Sequence, residues 1–354
     1  MNSYVPRKST KRTIANYHLT HTKVTYGEEF YDNEEITYEI EGFTPGQTIG
    51  SKETKEIIIT FKYKDQTTVP ANKILNSYLN FEMIVPNRMV LAQKGDNTSK
   101  YLTGSILKNQ IESVKFKKGE EPTLTDILAS FDASEKQDES IKAYYTDTDR
   151  NGLYELTFTS DGVIATNTEA QYLFQNLTQL TKITFDNFST NGATNMQSMF
   201  SNCSKLITLD VSKFNTSNVT SMLEMFYNCK ALTTLNLSNF NTSSVTNMQT
   251  MFSGCMALTT LDLSGFNTIN VITMRTMFNN CKALTTIYVS EFNAETSTGW
   301  TTTAVTNSTS MFSNCTNIIG GNGTTYNNNI INKTYAVIDT AETPGYLTNI
   351  TDKP

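Results

Sequence analysis

Five cysteines, Cys203, Cys229, Cys255, Cys281 and Cys315, stand 26, 26, 26 and 34 residues apart. Each closes the same string, Met-Phe-x-x-Cys, through Met199-Phe200, Met225-Phe226, Met251-Phe252, Met277-Phe278 and Met311-Phe312. An earlier copy, Leu173-Phe174, has Leu177 in the Cys place. A fixed period of this length means stacked units, each too small to bury its own apolar face. The chain over these copies must therefore coil, and the Met, Phe and Cys of each string must form one continuous core with those of its neighbours.

Each copy divides into two halves. Val219, Met222, Met225, Phe226, Cys229 and Leu232 follow one another at steps of 3, 3, 1, 3 and 3. Those steps mark one face of a short helix, with Ser217 or Asn218 as its N-cap. Leu235 and Leu237 then alternate with polar residues, as a short half-buried strand does. Parallel strands are expected at Ile183–Phe185, Leu209–Val211, Leu235–Leu237, Leu261–Leu263 and Ile287–Val289. Phe214, Phe240 and Phe266 open a Phe-Asn-Thr turn in three copies.

A ladder of cysteines also suggests disulfides. Five is odd, and helical coils are expected about 10 Å apart, whereas a disulfide needs Cα atoms within about 7 Å. Cys as a small buried hydrophobe is the better reading. No His or second Cys stands nearby in the repeat to make a metal site.

The string Phe214–Ser238 resembles the BspA-like leucine-rich repeat of bacterial surface proteins, described also as a mycoplasma and Firmicute surface-protein repeat of unknown function. Its Phe-x-x-Cys ending is similar to the treponemal leucine-rich repeat class. The likeness covers about 165–318. The flanks Asp132-Ala-Ser to Tyr154-Glu-Leu-Thr-Phe, and Gly320-Gly-Asn-Gly-Thr to Pro344-Gly-Tyr-Leu-Thr, resemble that family's lead-in and ending. The resemblance implies an α/β leucine-rich repeat solenoid of about six 26-residue coils, each a short parallel strand plus a short helix, preceded by β-rich modules. It also implies a secreted or cell-surface bacterial protein, extracellular, that binds a host or neighbour-cell protein or glycan; the residues add the expectation of no catalysis and no cofactor. The ordinary repeat has Asn where this chain has Phe240, so the turn after the strand is expected to be built differently.

Composition narrows the remainder. A formal net charge of −6 excludes the basic domain of a nucleic-acid-binding protein. No apolar run approaches the ~18 residues of a membrane span. The basic stretch at 1–22 is followed by no apolar segment, so it reads as a flexible arm and not as a signal peptide. Ile36, Tyr38 and Ile40 alternate with polar residues, as do Ile57, Ile59, Phe61 and Tyr63 on a second segment, and Phe43-Thr-Pro-Gly46 is a turn signal. Residues 23–85 are thus expected as a small sandwich of immunoglobulin type, 86–164 as a β-rich cap, 165–318 as the solenoid and 319–354 as a C-terminal cap or tail.

Candidate sites are few. His18 and His21 stand three apart, whereas a zinc-protease helix spaces them by four around a Glu. Asp147, Asp149 and Asn151 before Gly152 match half of a calcium loop, but Phe158 occupies the place of the bidentate Glu. Asn151-Gly152 reads better as a hairpin turn. The pairs Glu28-Glu29 and Glu34-Glu35 are simple solvated charge, and no acid pair or nucleophile–base pair marks an enzyme. Ligand binding is expected instead on the outward strand positions, including Asp210, Asn236, Asp262 and Tyr288, and on an insertion within Asn293–Ala304 that carries Trp300, the one Trp of the chain. The rival reading is a stalk, filament or fibre component whose solenoid displays nothing specific.

Overall fold

A computed structural model describes residues 140–354 without a break, with 102, 106–119 and 127–134 before them and short strands, as backbone, between 21 and 88. The chain divides into two units, Met1–Val85 and Pro86–Pro354. In the first, His21–Thr25 pairs antiparallel with Thr48–Gly50 and with Asn80–Met83, and Ile36–Glu41 pairs antiparallel with Ile58–Tyr63. His21 and Thr22, placed by the sequence in the arm, thus belong to a strand. The rest of the arm, His18, the turn at Phe43–Gly46, the Glu pairs and the side-chain packing that an immunoglobulin-type sandwich requires lie outside the described residues.

The second unit begins with a five-stranded sheet in the order Lys182–Phe185, Ile111–Lys118, Tyr154–Ser160, Lys142–Thr146, Ala129–Asp132. Ile111, Val114, Phe116, Leu156 and Phe158 are buried on it, and the Phe116 ring stacks on Phe158 at 4.9 Å. The strand Lys182–Phe185 already belongs to the first coil. It runs parallel to Ile111–Lys118 with Ile183 opposite Val114 and Phe185 opposite Phe116, so this sheet seats the solenoid.

Above that seat the chain climbs in parallel-stacked coils, but the expected helices are absent. Across the second Met-Phe-x-x-Cys string the amides of Met222, Glu224, Phe226 and Asn228 donate to the carbonyls of Asn247, Gln249, Met251 and Ser253 in the next coil, at 2.8–3.0 Å. The amides between them, of Met225, Tyr227 and Cys229, close turns onto residues three earlier, at 3.0–3.2 Å. A helix would send every amide to its own i−4 carbonyl. Here Glu224 (φ 57°) and Asn228 (φ 56°) are left-handed, which a right-handed helix cannot contain. Consecutive three-residue turns bring the chain back to one face at the same steps as a helix, so Met222, Met225, Phe226 and Cys229 are buried as expected although the helix is not there.

Direct backbone bonding also corrects the coil spacing. Coils joined by such ladders stand about 4.8 Å apart, not 10 Å, so distance does not keep the thiols from one another. All five cysteines are nonetheless free and buried. Each Sγ–H donates to the Phe carbonyl of the preceding coil: Cys203 to Phe174, Cys229 to Phe200 and Cys255 to Phe226 at 3.2 Å, Cys281 to Phe252 at 3.0 Å and Cys315 to Phe278 at 2.7 Å. Leu177 takes the Cys place in the first copy of the series. Burial pushes Cys203 and Cys255 up to about 12, and Cys229 and Cys281 well above the ordinary thiol range, so these groups stay protonated donors.

The strands are present one residue earlier than expected, two of them cut to two residues and the last extended to four. They are Thr208–Leu209, Thr234–Leu235, Thr260–Asp262 and Thr286–Val289. At Asp210, Asn236 and Asp262 the side-chain Oδ1 accepts the amide two residues on, from Ser212, Ser238 and Ser264, at 2.9–3.0 Å. This local turn draws the chain out of the ladder. The longest of the four strands is the one with Tyr288 at that position, where no such turn can form.

Rings fill the centre. Phe174, Phe200, Phe226, Phe252, Phe278 and Phe312 form one stack with centroids 5.2–5.8 Å apart and planes within 16°. Phe116 meets its lower end edge-on at 6.1 Å and Tyr346 its upper end at 5.1 Å. The Tyr346 lid is held by Asp339. Its Oδ2 accepts the amides of Asn322 and Thr324 at 2.9 Å, and its Oδ1 accepts the Thr324 hydroxyl at 2.7 Å and the Gly345 amide at 3.1 Å. Burial opposes ionisation there, but these hydrogen bonds outweigh it and hold Asp339 below the usual carboxylate range. A side chain at Gly320 or Gly345 would drive into the backbone that wraps this carboxylate.

Candidate binding surface

The predicted site residues separate in the structure. Asp210 and Asn236 are exposed on the strand face, and Asp262 and Tyr288 are half-covered beside them. Asp210 and Asp262 both have lowered pKa values. At Asp210 the cause is the hydrogen bonding with Ser212. At Asp262 partial burial works the other way, and hydrogen bonds from Lys353 and Ser264 overcome it.

Trp300 does not join them. It is buried, with 6% of its surface exposed, and its indole N–H donates to the Ala336 carbonyl at 2.9 Å. A ring so covered offers no face to a ligand. It ties the insertion to the C-terminal cap. What the insertion does expose is a tight loop, 294–298, closed by reciprocal backbone bonds between Asn293 and Thr298. Gly299 (φ 101°) lets the chain pass the Glu291 carbonyl, where a Cβ would clash, and so turn Trp300 inward.

An open depression of about 470 Å³ lies against this loop. Ser264, Ser290, Glu291, Asn267 and Thr298 supply its polar groups, with Phe240 and Phe266 beneath. Ser264 and Ser290 also end the outward strand columns, so the depression and the strand face are continuous. Hydroxyls, an amide and one carboxylate can exchange hydrogen bonds with a polar ligand. Among the described residues no group of three or more His, Cys, Asp or Glu is placed to hold a metal ion. Asp147 and Asp149 turn their oxygens onto the amides of Asn151 and Gly152, within the hairpin between Lys142–Thr146 and Tyr154–Ser160.

Sequence reasoning missed the buried threonines of the Phe-Asn-Thr turn and of its earlier counterpart Phe188-Ser189-Thr190. Thr190, Thr216 and Thr242, each 1% exposed, donate through Oγ1 to the carbonyls of Asn215, Asn241 and Asn267 at 2.9–3.0 Å and accept those residues' amides at 2.8 Å. Thr268 makes the same pair with Thr301 across the insertion. Recurrence of Thr two places after Phe214, Phe240 and Phe266 is the signal that could have found them. A second missed column is Asn176, Asn202, Asn228, Asn280 and Asn314, whose amides bond from coil to coil at 2.8–3.0 Å except where Gly254 interrupts the row.

A parallel-stacked solenoid with capped ends defines a repeat protein. The chain belongs to the family described as Mycoplasma protein of unknown function, DUF285, which it matches over 168–291 and again over 236–344, together half of its length. No curated protein and no solved structure matches the chain. Among the described residues no helix is long and apolar enough to cross a membrane.

Proposed function

We propose that this protein is a non-catalytic bacterial surface or secreted binding protein, an adhesin-like member of the BspA-like repeat group, which uses the strand face and the depression beside the insertion to hold a host or neighbour-cell protein or glycan. The observation that carries the reading is the depression itself. It lies where the one insertion breaks the 26-residue period, and its wall and floor are hydroxyl, amide and carboxylate groups over two buried rings. Extended surfaces of stacked repeats serve binding in general, and loops added to a repeat often form the contact. Capped ends also suit a monomeric display module better than a filament, whose units would stack end to end.

The test is a glycan and matrix-protein array probed with the full chain, followed by calorimetry on any positive ligand with Glu291→Gln and Thr298→Val combined. The exposed pair should weaken binding at least about tenfold while leaving the melting temperature unchanged. A silent array with self-association in solution would favour the stalk or fibre reading.

A further inference from the structure

One contact on the strand face is not required by the coil pattern. The ammonium of Lys353 donates to Asp262 Oδ2 at 2.7 Å and lies 5.4 Å from the centre of the Tyr288 ring. Asp262 and Tyr288 stand opposite one another on the paired strands Thr260–Asp262 and Thr286–Val289. The Lys353 and Asp262 side chains keep 46% and 38% of their surface exposed, so solvent reaches the pair.

A carboxylate beside an aromatic face is a general way to hold an alkylammonium group. The carboxylate accepts its N–H donors, and the negative face of the ring meets its charge. Tyr288 is the one aromatic residue among the outward positions of the strands from Thr208 to Val289. The flanking outward residues Thr260, Ser264, Thr286 and Ser290 are uncharged, so the selectivity of this spot rests on Asp262 and Tyr288. Asp210, exposed in the same column two coils away, stands about 10 Å off at β spacing and adds a second carboxylate.

The geometry points to a lysine-recognition site on the strand face, formed by Asp262 and Tyr288, whose ligand is a lysine-bearing segment of a partner protein. Lys353 is the self-ligand that fills it in the free chain. This rests on the strand face being a binding surface, and it names the chemistry that one part of that surface selects. An exposed ion pair is weak, and what Lys353 has in its favour is the tether that raises its local concentration. A segment with several lysines can displace it, meeting Asp262 with one ammonium and Asp210 with another. The hydrogen bond to Asp262 raises the pKa of Lys353 above the ordinary ammonium range.

The experiment titrates tetralysine into the full chain by calorimetry. Lys353→Ala should bind it at least about fivefold more tightly than the parent chain, since the tethered competitor is gone. Adding Asp262→Asn to Lys353→Ala should return affinity to the parent level or below. Asn is safe there for folding, because Asn236 makes the same turn with Ser238 that Asp262 makes with Ser264. Thermal unfolding of each variant confirms this. Adding Tyr288→Leu to Lys353→Ala should weaken binding about threefold through loss of the cation–ring contact, and ε-acetylated tetralysine should not bind. Equal affinity of parent and Lys353→Ala, or binding indifferent to Asp262→Asn, overturns the proposal. Array ligands lost on changing Glu291 and Thr298 would then still report the depression, so the two readings fail separately.

Discussion

The two sides of each coil solve the same stacking problem differently. On the strand side the ladder is broken. Thr208–Leu209 pairs with Thr234–Leu235, and Thr260–Asp262 with Thr286–Val289 and then Thr348–Asn349, as separate small sheets. On the turn side a single parallel bridge runs unbroken from Glu169 through Asn195, Ser221, Asn247 and Thr273 to Asn307. The alternating amides, the Phe stack and the cysteine thiols all belong to that second side. Vertical order is therefore carried by the turns, while the strands are left free to present side chains. A reading that takes the strands as the spine of such a solenoid has the division of labour reversed.

The largest test of that comparison is Phe252→Ala. It removes a fully buried ring from the middle of the stack and should cost roughly 3–5 kcal/mol of unfolding free energy. Denaturant titration measures it, and a loss under about 1 kcal/mol would break the claim that the turn side carries the stack. Next comes Thr242→Val, which keeps the shape but removes both hydrogen bonds to Asn267 at a site 1% exposed. Two backbone groups lose their partners in a nearly dry place, so about 2–3 kcal/mol should be lost. A near-neutral result would mean that water reaches this seam. The smallest effect is expected from Asp210→Thr with Asn236→Thr. Ending the side-chain turns should let both strands lengthen toward the four residues of Thr286–Val289 while changing stability by no more than about 0.5 kcal/mol. Amide exchange at Val211 and Leu237 should slow. If it does not, the turns are a consequence of short strands and not their cause.

The period and the buried positions were legible because each copy repeats its Met, Phe, Cys and Leu in the same places. All fifteen Met, Phe and Cys of the five strings are fully buried. The backbone between them was not legible from spacing alone. Successive three-residue turns and a helix bury residues at the same steps, so Val219 to Leu232 fits both. The deciding information sits in the residue before each Cys: Asn202, Asn228, Gly254, Asn280 and Asn314 all have positive φ and are the residue types that tolerate it. The other left-handed column gives no such sign, for Ser198, Glu224, Thr250, Thr276 and Ser310 have nothing in common that favours it. The site was legible in part. Asp262 and Tyr288 stand together as their strand positions imply, whereas nothing in the sequence says that Lys353 returns to them. Trp300 misled for a physical reason: a lone Trp in an inserted loop looks the same whether it is an anchor for a ligand or a plug.

Phe116 and Tyr346 mark where the column of rings begins and ends, and between them each Phe amide donates to the coil above and each Cys thiol to the Phe carbonyl below. A recombination event that keeps the 26-residue register removes or adds one storey and leaves the floor and the roof fitting as before. A slip of a single residue would turn the aromatic column outward and leave each thiol without its carbonyl. Inherited changes in the reach of such a molecule should therefore come in whole storeys, each about 4.8 Å tall.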